Sequence, residues 1–167
     1  MFPIEITRLK NLTLLHLSGN QLEDIPTEIE ELQKLGKLSL KRNKFKLFPG
    51  ELMKLKNLTL LDLSMNQLET LPDEIGNLQA LYGLYLSNNK LKSLPRSIKN
   101  LSNISIFNLR NNEFDDLPQT TRNWSLNLNI MSLWFWFKGY ESLDSEIEED
   151  TLGKKELKEI FKNRILF

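Results

Sequence analysis

His16, Ser39 and Asp62 follow one another at a fixed step of 23 residues. Those side-chain types could build a hydrolytic centre, in which a serine hydroxyl attacks, histidine takes its proton and a carboxylate orients the imidazole. The chemistry needs histidine between the serine and the acid. Equal steps along the chain place serine in the middle instead. On a stack of strands His16 and Asp62 would then stand about 10 Å apart, across two strand gaps. No oxyanion hole is suggested either, so the three read as an ordinary polar row. Other chemistry is missing as well. Gly153-Lys154-Lys155 lacks the upstream glycine of a phosphate loop, where Glu148 stands, and lacks its hydroxyl residue. His16 is the one histidine and there is no cysteine, which removes a two-histidine zinc helix and every thiolate site. The acidic run ESLDSEIEED at 141–150 lacks the glycine of a calcium loop and reads as a solvated loop or helix start. No catalytic residue, metal or cofactor is therefore expected, and the chain reads as no enzyme.

The bulk composition narrows the partners. Lys plus Arg number 22 and Asp plus Glu number 22. A nucleic-acid binder needs a basic footprint, so that class is set aside, and zero net charge removes long-range steering as the main recognition device. No apolar run approaches the length of a membrane span. The start MFPIEITRLK has no apolar signal region. With the absence of cysteine, this points to the cytoplasm, with secretion into a host as an effector as the alternative.

The 23-residue step governs far more than three residues. Pro3, Pro26, Pro49, Pro72, Pro95 and Pro118 keep it, as do Asn20, Asn43, Asn66, Asn89 and Asn112. A fixed period in this range signals stacked repeats. One unit, from Leu58, reads LTLLDLSMNQLETLPDEIGNLQA, with the pattern LxxLxLxxNxLxxLPxxIxxL. The LxL element has period two, so its leucines share one side of a short strand and the residues between them face the other. Strands of successive turns run parallel and need a long return connection. LPxxIxxL supplies it, with apolar residues three apart, as suits a turn of 3-10 or α-helix. Proline suits the first helical position, where its missing N–H costs no bond. A lone unit buries too little to offset the entropy of ordering it, so stability belongs to the array.

This pattern resembles the leucine-rich-repeat family, in the 23-residue subtype of bacterial (notably spirochaetal) proteins and of intracellular Ras-associated repeat proteins. The resemblance covers roughly residues 2–124. It implies an α/β repeat solenoid: a right-handed horseshoe arc with a parallel sheet on the concave face and short 3-10 or helical turns on the convex face. It also implies a buried ladder made by Asn20, Asn43, Asn66, Asn89 and Asn112.

The domain layout follows from where the period holds. Residues 1–124 form the array, with a half repeat at 2–11 and five repeats at 12–124. The opening half unit suggests either a piece of a longer array or an end that meets a partner. After Pro118 the phase breaks: Thr121 and Trp124 replace apolar consensus residues. Residues 125–167 read as a C-terminal cap. Within it Leu128 and Ile130 offer a last strand, Trp134, Phe135, Trp136 and Phe137 an aromatic plug, and Leu157, Ile160 and Phe161 one face of a helix near 154–163.

Reading across the strands gives the exposed rows of the concave face. One is Leu14, Lys37, Leu60, Gly83 and Ile106. The next is His16, Ser39, Asp62, Tyr85 and Asn108. A third is Ser18, Lys41, Ser64, Ser87 and Arg110, flanked by Arg42, Met65, Asn88 and Asn111. Apolar side chains and tyrosines here, with Tyr82 beside them, are what interface centres use. The partner-binding candidates are thus Leu14, His16, Lys37, Ser39, Lys41, Arg42, Leu60, Asp62, Met65, Tyr82, Tyr85, Asn88, Ile106, Asn108 and Arg110. The expected function is a non-enzymatic module that binds a protein of unknown identity on this face. A recognition or regulatory arm of a larger signalling protein or effector is the alternative, and a structural repeat that associates end to end is a third reading.

Overall fold

The computed structural model describes residues 2–114 and 132–134. Six short strands make one sheet: β1 (Leu14–His16), β2 (Lys37–Ser39), β3 (Leu60–Asp62), β4 (Gly83–Tyr85), β5 (Ile106–Asn108) and β6 (Ser132–Trp134). They lie in chain order and all neighbours are parallel. The middle residue of each of the first five (Leu15, Leu38, Leu61, Leu84 and Phe107) is buried. Pairing continues past the three-residue strands. The Leu17 amide donates to the Ser39 carbonyl and the Gly19 amide to that of Lys41, both at 2.8 Å, and later turns repeat this.

The return half of each unit is a 3-10 turn: Ile4–Arg8, Thr27–Glu31, Gly50–Lys54, Asp73–Asn77 and Arg96–Asn100. The reason lies in the spacing. Pro26, Ile29, Leu32 and Leu35 stand three apart, and three residues per turn stack them on one side. Ile29, Leu32 and Leu35 are buried. Proline sits one residue earlier than the sequence suggests, as the N-cap and not the first helical residue. Its ring fixes φ, and its carbonyl accepts the first turn's bond, as from the Ile29 amide to Pro26 at 3.1 Å.

The asparagine ladder joins strand side to core. Asn66 Nδ2 donates to the Leu40 carbonyl at 3.0 Å, one turn back, and to the Leu63 carbonyl at 2.9 Å in its own turn. Its Oδ1 accepts the Phe45 amide at 3.2 Å. Asn43, Asn89 and Asn112 repeat the arrangement and all are buried. Asn20 departs from the expected ladder. It is exposed, and its Nδ2 reaches the Ser18 carbonyl at 3.3 Å. Among the described residues no strand lies before β1, so no earlier turn offers Asn20 an amide or a carbonyl. The Asn20 amide instead donates to Asn43 Oδ1 at 3.1 Å.

The residue before each ladder asparagine is left-handed. Gly19 has φ +74°, Arg42 +56°, Met65 +59°, Asn88 +56° and Asn111 +56°. Glycine and asparagine accept this conformation readily. Arginine and methionine hold it against their preference, at a cost of order 1–3 kcal/mol. On the return side Gly76 meets the next turn: a Cβ there would lie 2.5 Å from the Ser97 carbonyl oxygen. No side chain fits without moving backbone.

The sixth strand falls on Ser132–Trp134, with Leu133 paired to Phe107. The alternating pattern recurs through this stretch, and the break after Pro118 removes the period that would choose between alternatives. Leu128, Ile130, Phe135, Trp136, Phe137 and the helix expected near 154–163 lie outside the described residues.

Two stability changes of opposite sign follow. Asn66→Ala leaves the Phe45 amide unpaired, at about 1–3 kcal/mol, and removes one of the two carboxamide bonds to each of the Leu40 and Leu63 carbonyls, at about 0.5–1.5 kcal/mol each, while Asn43 and Asn89 still bond them. It should cost on the order of 4 kcal/mol in urea unfolding, whereas Asn20→Ala should cost less than about 1 kcal/mol. Arg42→Asn and Met65→Asn should each raise stability by about 1 kcal/mol, read as an upward shift of the thermal midpoint, by removing an unfavourable left-handed residue.

Candidate functional site

Parallel pairing in register turns every 23-residue step into a row of neighbours on one face. Leu14, Lys37, Leu60, Gly83 and Ile106 are successive partners, and Ser132 extends the row. His16, Ser39, Asp62, Tyr85 and Asn108 form the second, extended by Trp134. Both expected rows are thus present. A third, Ser18, Lys41, Ser64, Ser87 and Arg110, follows where the ladder of backbone bonds continues.

The members of these rows differ in access. His16, Lys37, Lys41, Arg42, Asn88 and Arg110 are exposed, as are Leu14 (48%), Tyr82 (47%) and Met65 (39%). Leu60, Asp62, Tyr85, Ile106 and Asn108 are half-buried. Ser39 is buried, against its expected place among exposed contact residues. Its hydroxyl lies 2.8 Å from that of Ser18, so the two small side chains close over one another. Tyr82 is one residue before β4, at the edge where the chain enters the strand, and its amide donates to the Thr59 carbonyl. It borders the face rather than occupying a row.

The polar row holds no triad. Ser39 is engaged with Ser18. Asp62 Oδ1 accepts the Ser64 amide at 2.9 Å, a local turn bond. Asn108 Oδ1 does the same for the Arg110 amide at 3.1 Å. These carboxylate and amide groups shape the strand ends, where the backbone begins to turn. Among the described residues no three His, Asp or Glu side chains converge as a metal site, and no helix is long and apolar enough to cross a membrane.

The apolar part of the face has a centre. A Cβ at Gly83 would lie 3.4 Å from Tyr85 Cε2 and 3.6 Å from Leu60 Cγ. The Tyr85 ring and Leu60 thus both border the bare backbone at position 83. Ile106 stands on the next strand in the same row. This gives a shallow cluster of Leu60, Tyr85 and Ile106, with Tyr82 at its margin. An aromatic ring with few torsions presents such area at small entropic cost.

One feature on another face is missed by reading the rows alone. Where the chain leaves the strands, an open groove of about 580 Å³ runs along Glu23, Asp24, Lys44, Lys46, Leu47 and Phe48. Leu47 is 75% exposed. Its counterparts in other turns are Asp24, Thr70 and Ser93, so following that position down the array marks it as the apolar exception.

Comparison with known proteins agrees with this geometry. A leucine-rich-repeat family model matches residues 10–68, and a second matches residues 80–101. A search of curated proteins returns no match. Among solved structures, a leucine-rich-repeat protein of Leptospira interrogans is 41% identical with a TM-score of 0.71, over 77% of this chain and 32% of that one. The ectodomain of the Arabidopsis thaliana membrane receptor kinase GASSHO1/SCHENGEN3, solved with Casparian strip integrity factor 2, is 36% identical with a TM-score of 0.66. That match covers 74% of this chain and 16% of the receptor chain. Internalin C2 of Listeria monocytogenes is 28% identical with a TM-score of 0.62, over 69% of this chain and 49% of its own. The chain thus spans half or less of each of these proteins. Repeat period, asparagine ladder, parallel sheet and family match agree: the chain belongs to the leucine-rich-repeat family, whose fold is a general protein–protein interaction module.

Proposed function

We propose that this chain binds a protein partner on its concave face and performs no catalysis of its own. The observation that carries this reading is the group Leu60, Tyr85 and Ile106, bordered by exposed Tyr82, on a sheet held rigid by its backbone and ladder bonds. Apolar and aromatic groups on a pre-organised surface lose little freedom when a partner covers them. The solved receptor ectodomain in complex with its factor adds support, since a protein of this fold there holds another.

The chain spans 32% of the Leptospira protein and 16% of the receptor chain. That fraction favours a second reading, in which the same face serves as the recognition arm of a larger protein. Both readings use the same residues and differ in what else is joined to them.

Affinity capture from the source cell, followed by mass spectrometry, tests the face. Tyr85→Ala combined with Tyr82→Ala should lower recovery of the partner at least about tenfold, the effect of removing two aromatic anchors worth more than about 1 kcal/mol each. The circular-dichroism melt of the variant should stay close to that of the unaltered chain. Undiminished capture would move the binding site off this face.

A further inference from the structure

Overall neutrality hides an uneven distribution of charge. The repeat at 35–57 carries seven Lys and Arg residues against Glu51 alone. The repeat before it, 12–34, carries five acids against Lys34, and the one after it, 58–80, four acids and no base. Three of the seven cations, Lys37, Lys41 and Arg42, lie on β2 and its continuation, and all three are exposed. Among the described residues none of them closes an ion pair. The neighbouring acid of the face is Asp62, and its Oδ1 already accepts the Ser64 amide.

The surroundings of these cations are apolar. Lys37 is paired in register between Leu14 and Leu60. Arg42 adjoins the next turn, where its amide donates to the Ser64 carbonyl, the residue before exposed Met65. Arg42 and Met65 also hold left-handed φ at the position before the ladder asparagine, where the other turns use glycine or asparagine. A residue kept against its backbone preference points to a use for its side chain. A simple polyanion would leave Leu14, Leu60 and Met65 unused. An apolar ligand would bury three unpaired cations, which is costly.

We propose that the concave face from β1 to β3 captures an acidic segment of a separate protein, with carboxylates interspersed among apolar side chains. The guanidinium of Arg42 can hold a carboxylate through two parallel bonds. Lys37 and Lys41 supply point charges that favour encounter and reject basic segments. Leu14, Leu60 and Met65 receive the apolar side chains between the acids. This proposal rests on the concave-face reading above and adds to it the chemistry of the partner.

The probe is a fluorescein-labelled synthetic peptide of alternating glutamate and leucine, titrated by anisotropy against the full chain. The acidic peptide should bind, and raising the salt should weaken it. Lys41→Glu with Arg42→Asn should weaken it at least about tenfold, or about 1.4 kcal/mol. Arg42→Asn alone should weaken binding while raising the thermal midpoint, so the loss is not one of folding. The proposal is overturned if a peptide with lysine for glutamate, or a single-stranded oligonucleotide, binds as well, if no acidic binding is seen, or if the charge variants bind unchanged. Should Leu60→Ala with Tyr85→Ala abolish binding that the charge variants leave intact, the concave face stands and the acidic chemistry falls. If neither set matters, both fall. Binding seen only after Glu146, Glu148 and Glu149 are changed to Gln would assign the face to the chain's own acidic run and overturn a separate partner.

Discussion

One carboxamide per turn closes the gap that would otherwise break this fold. When the chain leaves a strand and turns into the core, its amides and carbonyls lose their sheet partners and cannot reach water. Asn43, Asn66, Asn89 and Asn112 fill that need, each donating to its own turn and the one before and accepting an amide in return. Because each reaches across a turn boundary, no turn satisfies its backbone alone. The leucines beneath supply the drive to bury surface, but the carboxamides hold every turn at one setting relative to the next. The rows on the concave face inherit that setting.

The inside of each turn is therefore nearly invariant while the outside is free. The inward strand positions are Leu or Phe throughout, and the outward positions beside them run from lysine to glycine. This freedom is what a binding surface needs. It is bounded by local duties, however. Ser39, Asp62 and Asn108 face outward by register, yet Ser39 bonds Ser18, and the other two cap the amides two residues on. A side chain can hold a place on the binding face and still be spoken for by the backbone.

The array is legible in the residues because buried contacts impose one residue type at one phase. The proline and asparagine periods, the LxL strands and the register of both outer rows all follow from spacing alone. The left-handed residues before the asparagines do not, because Gly, Arg, Met and Asn share that conformation without sharing a side chain. Ser39 is buried and bonds the Ser18 hydroxyl, a contact between side chains that periodicity does not weigh. Asn20 matches the ladder by type, but among the described residues no strand precedes β1 to offer it partners. The place of β6 is hidden because the phase breaks after Pro118. That Tyr85 and Leu60 both border Gly83 is a fact about two turns rather than one.

The contact between Gly76 and Ser97 bears on the shape of the whole. An arc bends according to the difference between its inner and outer spacing. Hydrogen bonding fixes the inner spacing at roughly 4.8 Å per strand. The outer spacing is left to whatever stands between successive 3-10 turns. Glu30, Met53 and Lys99 occupy the same position in other turns, and Gly76 alone brings no side chain to it. There the outer rim closes onto backbone. Any side chain introduced at position 76 must push these two turns apart on the outer side while the strands keep their spacing. A substitution there would thus alter the bend beside Tyr82, Gly83 and Tyr85 without touching the face itself.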